Sequence, residues 1–535
     1  MRTIMPGLDW SDARLIPAFQ MVIHLDVYDL RGASRPELIT ATVIAGLVNR
    51  PRPRIYLIAC EDDVFWLQQA LRHVSTTYFS HHGSESLHAL LFTYRSLVQG
   101  VIIYQSELLD TINIATTMAG QRDALIADPE LAVALIKRYH LPVVDDLRKY
   151  GWRSRLQAYH WAVQQLLPRS SPRILAGLDP GAFCGLRSFL VATGAFVYWL
   201  DSQQYLPDFT AGMLSERALM QQLFATYAPT VGAVHLGWVI HEQSAVALAS
   251  EAGMAVVASD YVLNLEVWTA VQPEALPLPA THMDVPPLED KIYLSFTMSD
   301  GDNLQYCQHH LRTIWNDPAR ETVPLGWTMS PLLAQAMPAL AAYYTSTAGP
   351  NDELIAGPSG MGYIYPSRYP RARQDLYLQQ TGSLMHRLGM TSLTLLDVDA
   401  LYRTGLPLVA AFSFAGMRLS TRHVQQEWAS TLARYGVTGI LNGAGFTGRP
   451  AQWHNQHQLV FHNTLGFTTN VERTVRLIKL ASRIFRRRPL FLHVYLIAWN
   501  MTPTAVQQIL QQLGPDYECI LPRTMFALQA HSHKR

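Results

Sequence analysis

Two clusters of carboxylates carry the strongest chemical signal in this chain. Ser299-Asp300-Gly301-Asp302-Asn303 follows the apolar run 291–298, and Leu395-Leu396-Asp397-Val398-Asp399 closes a second such run. A glycine between two carboxylates permits a sharp turn that directs both side chains inward. Asp397 and Asp399 share strand parity and so point to one side. Neighbouring carboxyl groups push each other's pKa values apart, so that one stays protonated while its partner stays charged. Acid–base or nucleophilic work needs that division: one group gives a proton, and the other attacks as a nucleophile or accepts one. Asp300 and Asp302 are the first candidates for this work, with Asp397 next. For any single Asp the competing reading is an N-cap, which accepts from the free amides of the following helix. One cap needs one oxygen, whereas the Asp300–Asp302 cluster supplies four.

These carboxylates form a site only if neighbouring elements bring their strand ends together. Downstream of the first cluster, strands are predicted at 291–298, 323–329, 353–356, 392–397, 408–414, 436–441 and 489–498. Helical periodicity fills 304–316, 331–345, 374–389, 422–435 and 471–486. Alternation of β and α over about 240 residues suits a seven- or eight-stranded (β/α) barrel-like domain with its site at the C-terminal strand ends. An open doubly wound sheet would give the same alternation. Upstream, strands are predicted at 21–28, 54–59, 101–104, 173–176, 233–239 and 254–258. Helices are predicted near 36–49, 62–72, 111–127, 154–166, 215–227 and 242–252, which again is α/β layering with parallel sheets. Pro273, Pro277, Pro279, Pro286 and Pro287 crowd 271–287, where neither helix nor ladder can be sustained. The expected domains are an N-terminal α/β region over 1–210 with room for two subdomains, a small α/β domain over 211–287, and the barrel-like domain over 288–535.

Composition limits the function classes. The 535 residues exceed one ordinary core, and 49% apolar against 16% charged residues describes a globular chain. A net charge of +1, from 42 basic and 41 acidic side chains, gives no general attraction for nucleic acid or anionic lipid. Cys60, Cys184, Cys307 and Cys519 are more than a hundred residues apart, so there is no CxxC pair. Asp9, Asp12 and Pro17 interrupt the start where a secretory signal needs an apolar stretch. The longest apolar run, 189–200, has 12 residues, against about 20 needed to span a bilayer. A cytoplasmic location is the default expectation. The sequence sets no oligomeric state.

Gly360-Met361-Gly362-Tyr363-Ile364-Tyr365-Pro366 matches the signature of the GxGYxYP family of putative glycoside hydrolases, and the chain resembles that family beyond this heptapeptide. Ser299-Asp300-Gly301-Asp302-Asn303, Gly326-Trp327-Thr328-Met329-Ser330-Pro331 and Ala356-Gly357-Pro358-Ser359-Gly360 are similar to its C-terminal domain. Ala45-Gly46-Leu47-Val48-Asn49-Arg50 and Ala258-Ser259-Asp260-Tyr261-Val262-Leu263-Asn264 are similar to its N-terminal region. The resemblance implies a barrel-like catalytic domain behind smaller α/β domains, with carbohydrate as the substrate. Glycines let a loop approach a sugar, and tyrosine rings offer apolar faces and hydroxyls. Asn303, Trp327, Ser330, Ser359, Tyr363, Tyr365, Asp399, Asn442 and Trp499 are therefore the expected substrate contacts, with Trp327 and Trp499 as stacking platforms at strand ends. The loop 357–366 is expected to cover the pocket, with at least one of Tyr363 and Tyr365 lining it. The competing reading of each ring is core packing.

Other motifs are weaker. Gly443-Ala-Gly445-Phe-Thr-Gly448 fits GxGxxG, but Arg449-Pro450 follows instead of a helix. No two of the 20 histidines are four residues apart, so no helical His pair holds zinc. Arg486-Arg487-Arg488 reads as a solvated helix end. No cofactor is expected. Two further readings stay open: a non-catalytic carbohydrate-binding protein, and a metal-assisted carbohydrate hydrolase or deacetylase-like enzyme with a hard divalent cation at Asp300 and Asp302.

Overall fold

Short β-branched runs, each followed by a helical segment, fold the N-terminal half into three small sheets. The structure, a computed structural model, describes residues 7–11, 14–207, 214–273, 285–398, 417–418, 422–443, 451–454 and 459–532. It divides into two compact units, Met1–Glu274 with Gln335–Leu340, and Ala275–Ala334 with Ala341–Arg535. In the first unit, Ile55–Ile58, His24–Asp29 and Ser75–His82 form one sheet, and Leu125–Ala127, Val101–Ile103 and Val143–Asp146 a second. Ala255–Val257, Val234–Gly237, Ile174–Gly177 and Phe196–Tyr198 form the third, and every pairing in the three is parallel. Ser75–His82, Leu125–Ala127, Val143–Asp146 and Phe196–Tyr198 are absent from the predicted strands. The first is largely exposed and polar, and the others are three or four residues long, too short to show a period.

Two asparagines from the upstream motifs clasp this unit. Asn49 closes the helix Arg35–Val48, and its amide donates to Ile55 O at 3.1 Å and to Glu266 Oε1 at 2.9 Å. Its oxygen accepts from the amides of Arg54 and Ile55, both at 2.8 Å. Asn264, at φ 61°, exchanges two 2.9 Å hydrogen bonds with the backbone of Leu57, acting as an extra strand partner. Burial pushes the Glu266 carboxyl above the usual range, while Asn49 and Ser188 donate to it.

The second unit carries the barrel-like sheet. Its strands are β1 (Ile292–Met298), β2 (Leu325–Met329), β3 (Asp352–Ala356), β4 (Ser392–Leu395), β5 (Gly439–Asn442), β6 (Leu459–Asn463), β7 (Phe467–Thr468) and β8 (Leu490–Leu496). They are hydrogen-bonded in the order β6-β5-β4-β3-β2-β1-β8-β7, all parallel. Ala451–His454 adds an antiparallel strand beside β6, and Tyr517–Cys519 a parallel one beside the first half of β1. Between β6 and β7, Thr464 N donates to Asn442 O of β5 at 3.4 Å, and Leu465 N to His493 O of β8 at 2.8 Å. The two ends of the path therefore meet in one stretch of chain, and the sheet curls into a barrel-like ring. The strand predicted at 408–414 lies outside the described residues.

Polar residues line much of the ring's interior. His493 Nε2 lies 2.9 Å from Thr297 Oγ1, His462 Nδ1 accepts from Gln529 Nε2 at 2.9 Å, and Ser392 Oγ donates to Glu353 at 2.6 Å. Desolvation lowers His462 to about 3 and holds His493 well below its usual value, so both imidazoles are neutral. An apolar cluster that includes Tyr293, Ile355, Leu441 and Phe491 packs against Met525 and Phe526, from the helix Pro522–Ser532.

Replacing Asn49 with Ala strands the Glu266 carboxyl and the backbone groups of Arg54 and Ile55. The N-terminal unit should lose about 2–4 kcal/mol, read as a lower urea midpoint for the full chain. An unchanged midpoint would mean that Asn49 is not a clasp.

Candidate active site

Parallel strands leave all their C-terminal ends on one rim, and the turn after β1 is fixed there by close backbone contact. Gly301 N donates to Thr328 Oγ1 at 2.9 Å, and Gly301 O accepts from Ser330 N at 2.6 Å. A Cβ on Gly301 would stand 1.5 Å from the Thr328 carbonyl oxygen, so no larger residue fits. Gly357, just past β3, abuts Asp302 in the same way, since a Cβ there would stand 2.8 Å from the Asp302 amide nitrogen. Asn303 Oδ1 accepts from Tyr306 N at 3.1 Å and caps the helix Leu304–Gln308. The N-cap expected as the bland role for an aspartate thus falls to Asn303.

Asp300 is half-buried at φ 69°. Burial raises its pKa above the usual carboxylate range, against the opposing pull of the Ser299 hydroxyl, the Trp499 indole, His310 and the Ala498 amide. Trp499 is 52% exposed. One face of its indole stacks on His310 at 4.7 Å and 24°, and Tyr306 meets it edge-on at 5.6 Å. His310 Nε2 donates to Ala498 O at 2.9 Å, which assigns the proton to that nitrogen. Beneath the carboxylates, the Tyr495 hydroxyl lies beside Thr394 and Thr328. Burial raises its pKa, and the charges of Asp302 and Asp300 add to the effect. Tyr306 is raised by burial and by Asp300.

The signature loop is packed, not open. Residues 357–366 are all buried, with Tyr363 4% and Tyr365 0% exposed. The two rings meet edge to face at 5.4 Å, with their hydroxyls 3.3 Å apart. Ser359 Oγ lies 3.0 Å from Ile364 O and 3.2 Å from Leu396 O, which ties the loop to the end of β4. Asp397, 3% exposed, accepts from the Ser367 hydroxyl at 2.7 Å and from the Ser367 amide. The helix Arg371–Arg387 supplies Tyr377, whose hydroxyl is 2.5 Å from Gly362 O.

The rim therefore joins Asp300, Asp302 and Trp499 directly, with Ser359 and Asp397 behind them in the loop scaffold. Ser330 and Asn442 also sit at strand ends, but both are fully buried. Ser330 accepts from Leu332 N, and Asn442 donates to Asn463 Oδ1 at 3.2 Å. Trp327 does not fit the expected stacking platform. It is the third residue of β2, fully buried, with its indole donating to Asp352 at 2.9 Å and its ring 5.0 Å from Trp315. The rings of Tyr363 and Tyr365 likewise offer no open face. Asp399 lies outside the described residues. Ser299, Tyr306, His310 and Tyr495 are additions that the sequence pattern does not single out. For Tyr495 the available signal is parity with His493, two polar residues on one face of the apolar run Leu490–Leu496.

Comparison with known proteins places this architecture. A solved structure, described as "a putative hydrolase from Bacteroides thetaiotaomicron VPI-5482", is similar over 98% of both chains at a TM-score of 0.77 and 19% identity, a likeness of fold. No curated protein matches the chain. Residues 24–96, 98–170 and 172–270 match the first, second and third N-terminal domains of one family. Residues 290–530 match its "GxGYxYP putative glycoside hydrolase C-terminal domain". With four successive domains matched along nearly its whole length, the chain belongs to the GxGYxYP family.

Proposed function

We propose that the second unit hydrolyses a glycosidic bond at the rim beside β1, with Asp300 as the general acid and Asp302 as the nucleophile or the base for water. The observation that carries this reading is the environment of Asp300: a desolvated carboxyl with a raised pKa, set beside a half-exposed tryptophan face. A general acid must hold its proton until the leaving oxygen needs it, and burial with no ion pair among the described residues favours that. Trp499, beside Asp300, offers its open indole face to the C–H face of a pyranose. Stacking and proton delivery are thereby coupled in one residue pair. Asp397, occupied by Ser367, positions the signature loop. The proposed steps call on no cofactor.

A panel of oligosaccharides, incubated with and without chelator and analysed for products, tests the reading. Asp300→Asn and Asp302→Asn should each lower turnover by about 10²–10⁴-fold, with cleavage by the parental chain unaffected by chelation. Trp499→Ala should chiefly raise KM. Parental rates in both Asn variants would remove the pair and pass the role to Asp397 and Asp399.

Stability gives a second check. Because the folded-state pKa of Asp300 is raised, its contribution is fully present below the ordinary value of 3.8 and is lost as pH rises through the folded value. Asp300→Asn should therefore gain melting temperature relative to the parent as pH climbs from about 4 towards neutrality. Parallel melting curves across that range would show that Asp300 is not desolvated.

A further inference from the structure

The outer side of the rim holds a cavity of about 470 Å³, lined in part by Phe467, Arg473, Arg476, Leu477, Leu480 and Ile497. Its basic wall is the helix Val471–Ile484. The chain as a whole has a net charge of +1, yet 473–488 contains seven arginines and lysines and no acidic residue. Some of these cations are engaged: Lys479 donates to Gln512 O at 3.0 Å, and Arg488 to Phe485 O at 2.8 Å. Arg473 and Arg476 have no ion pair among the described residues. One helical turn apart, they line the cavity together with apolar side chains, and Leu480 is 56% exposed there. The helix N-terminus, capped by Asn470, adds potential of the same sign.

The cavity also adjoins the candidate site along the chain. Ile497 lines it, the next residue donates from Ala498 N to Ser299 Oγ at 3.2 Å, and Trp499 follows against Asp300. We infer that this cavity is a subsite for an acidic sugar residue, one bearing a carboxylate or a sulfate, in the same glycan that reaches Asp300. This rests on the glycan reading of that site. Two guanidinium forks, without an ion pair among the described residues, match the paired oxygens of such a group, and Phe467, Leu477 and Ile497 match the apolar face of a sugar ring. A neutral sugar could offer its hydroxyls to the arginines but no charge to balance theirs. The concave, half-open shape favours a small ring over a flat anionic surface.

Calorimetric titration of the full chain at low salt tests this, with a galacturonate oligosaccharide, a sulfated galactose oligosaccharide, a neutral galactose oligosaccharide and phosphatidylserine vesicles as separate probes. At least one acidic oligosaccharide should bind about 10-fold or more tightly than the neutral one, and which one does so identifies the anionic group. The double variant Arg473→Gln/Arg476→Gln should lose that margin at an unchanged melting temperature, whereas Arg486→Gln/Arg487→Gln should keep it. Cleavage of the same probes is scored separately, so a failure of the hydrolytic reading, seen as no cleavage of any glycan, stays separate from the binding result. Equal affinity for neutral and acidic probes overturns the inference, as does full binding by the Arg473/Arg476 variant, absence of binding, or binding of the vesicles alone.

Discussion

With no side chain at Gly301, the turn after β1 rests directly on the backbone of β2. That contact sets the rim. The two hydrogen bonds that straddle Gly301, from its amide to Thr328 and to its carbonyl from Ser330, hold the loop where a Cβ would overlap the Thr328 oxygen. Asp300 is thereby forced into the left-handed region, and Asp302 is delivered onto Gly357, itself bare for the same reason. From Gly357 the constraint passes into the signature loop, through Ser359 to Leu396 and through Ser367 to Asp397. A single close approach thus propagates over the ends of four neighbouring strands, from β1 to β4. The placement of the carboxylates follows from backbone packing.

Desolvation is the second organising effect, and it acts in opposite senses on different groups. Inside the ring it keeps His462 and His493 neutral, so two histidines can be buried near each other without mutual repulsion. At the rim it raises Asp300, and it raises Tyr495 and Tyr306 further out of their titrating range. The result is a site whose phenols are held neutral and whose Asp300 carboxyl is shifted towards its protonated form. In the N-terminal unit the same burial raises Glu266, but there Asn49 and Ser188 answer both oxygens, and the group is a clasp.

Much of this is legible in the residues. Barrel strands with β-branched or apolar runs, such as β1 and β8, lie within two residues of their predicted ends, because burial on both faces leaves a continuous apolar signature. β6 is not predicted. Its sequence L-V-F-H-N ends in His462 and Asn463, and a polar side chain inside a ring looks, in sequence, like a solvated turn. The carboxylate cluster is readable because Asp-Gly-Asp has few structural uses. The roles of the aromatics are not, since burial depends on partners far away in sequence: Trp327 on Trp315 and Asp352, and Trp499 on His310 and Tyr306. The signature itself separates Tyr363 and Tyr365 by two residues, and their hydroxyls meet 3.3 Å apart. Spacing alone suggests a displayed pair, whereas the structure uses it as a brace.

The backbone at Asp300 bears on whether the carboxyl is incidental. A turn that needs φ 69° is met at least cost by Gly, which has no Cβ to oppose the left-handed region. Asn would serve nearly as well and carries no charge. Asp adds the work of desolvating a carboxylate, visible as the raised pKa, at a residue already in a sparsely populated conformation. Two penalties at one residue, each removable by a single substitution, are difficult to reconcile with a purely structural turn. They are what a group needs if its proton must be retained in the resting protein and given up to a substrate. Trp499 adds to this, because an aromatic face half open to solvent beside that carboxyl contributes little to the core that a buried residue would not contribute better.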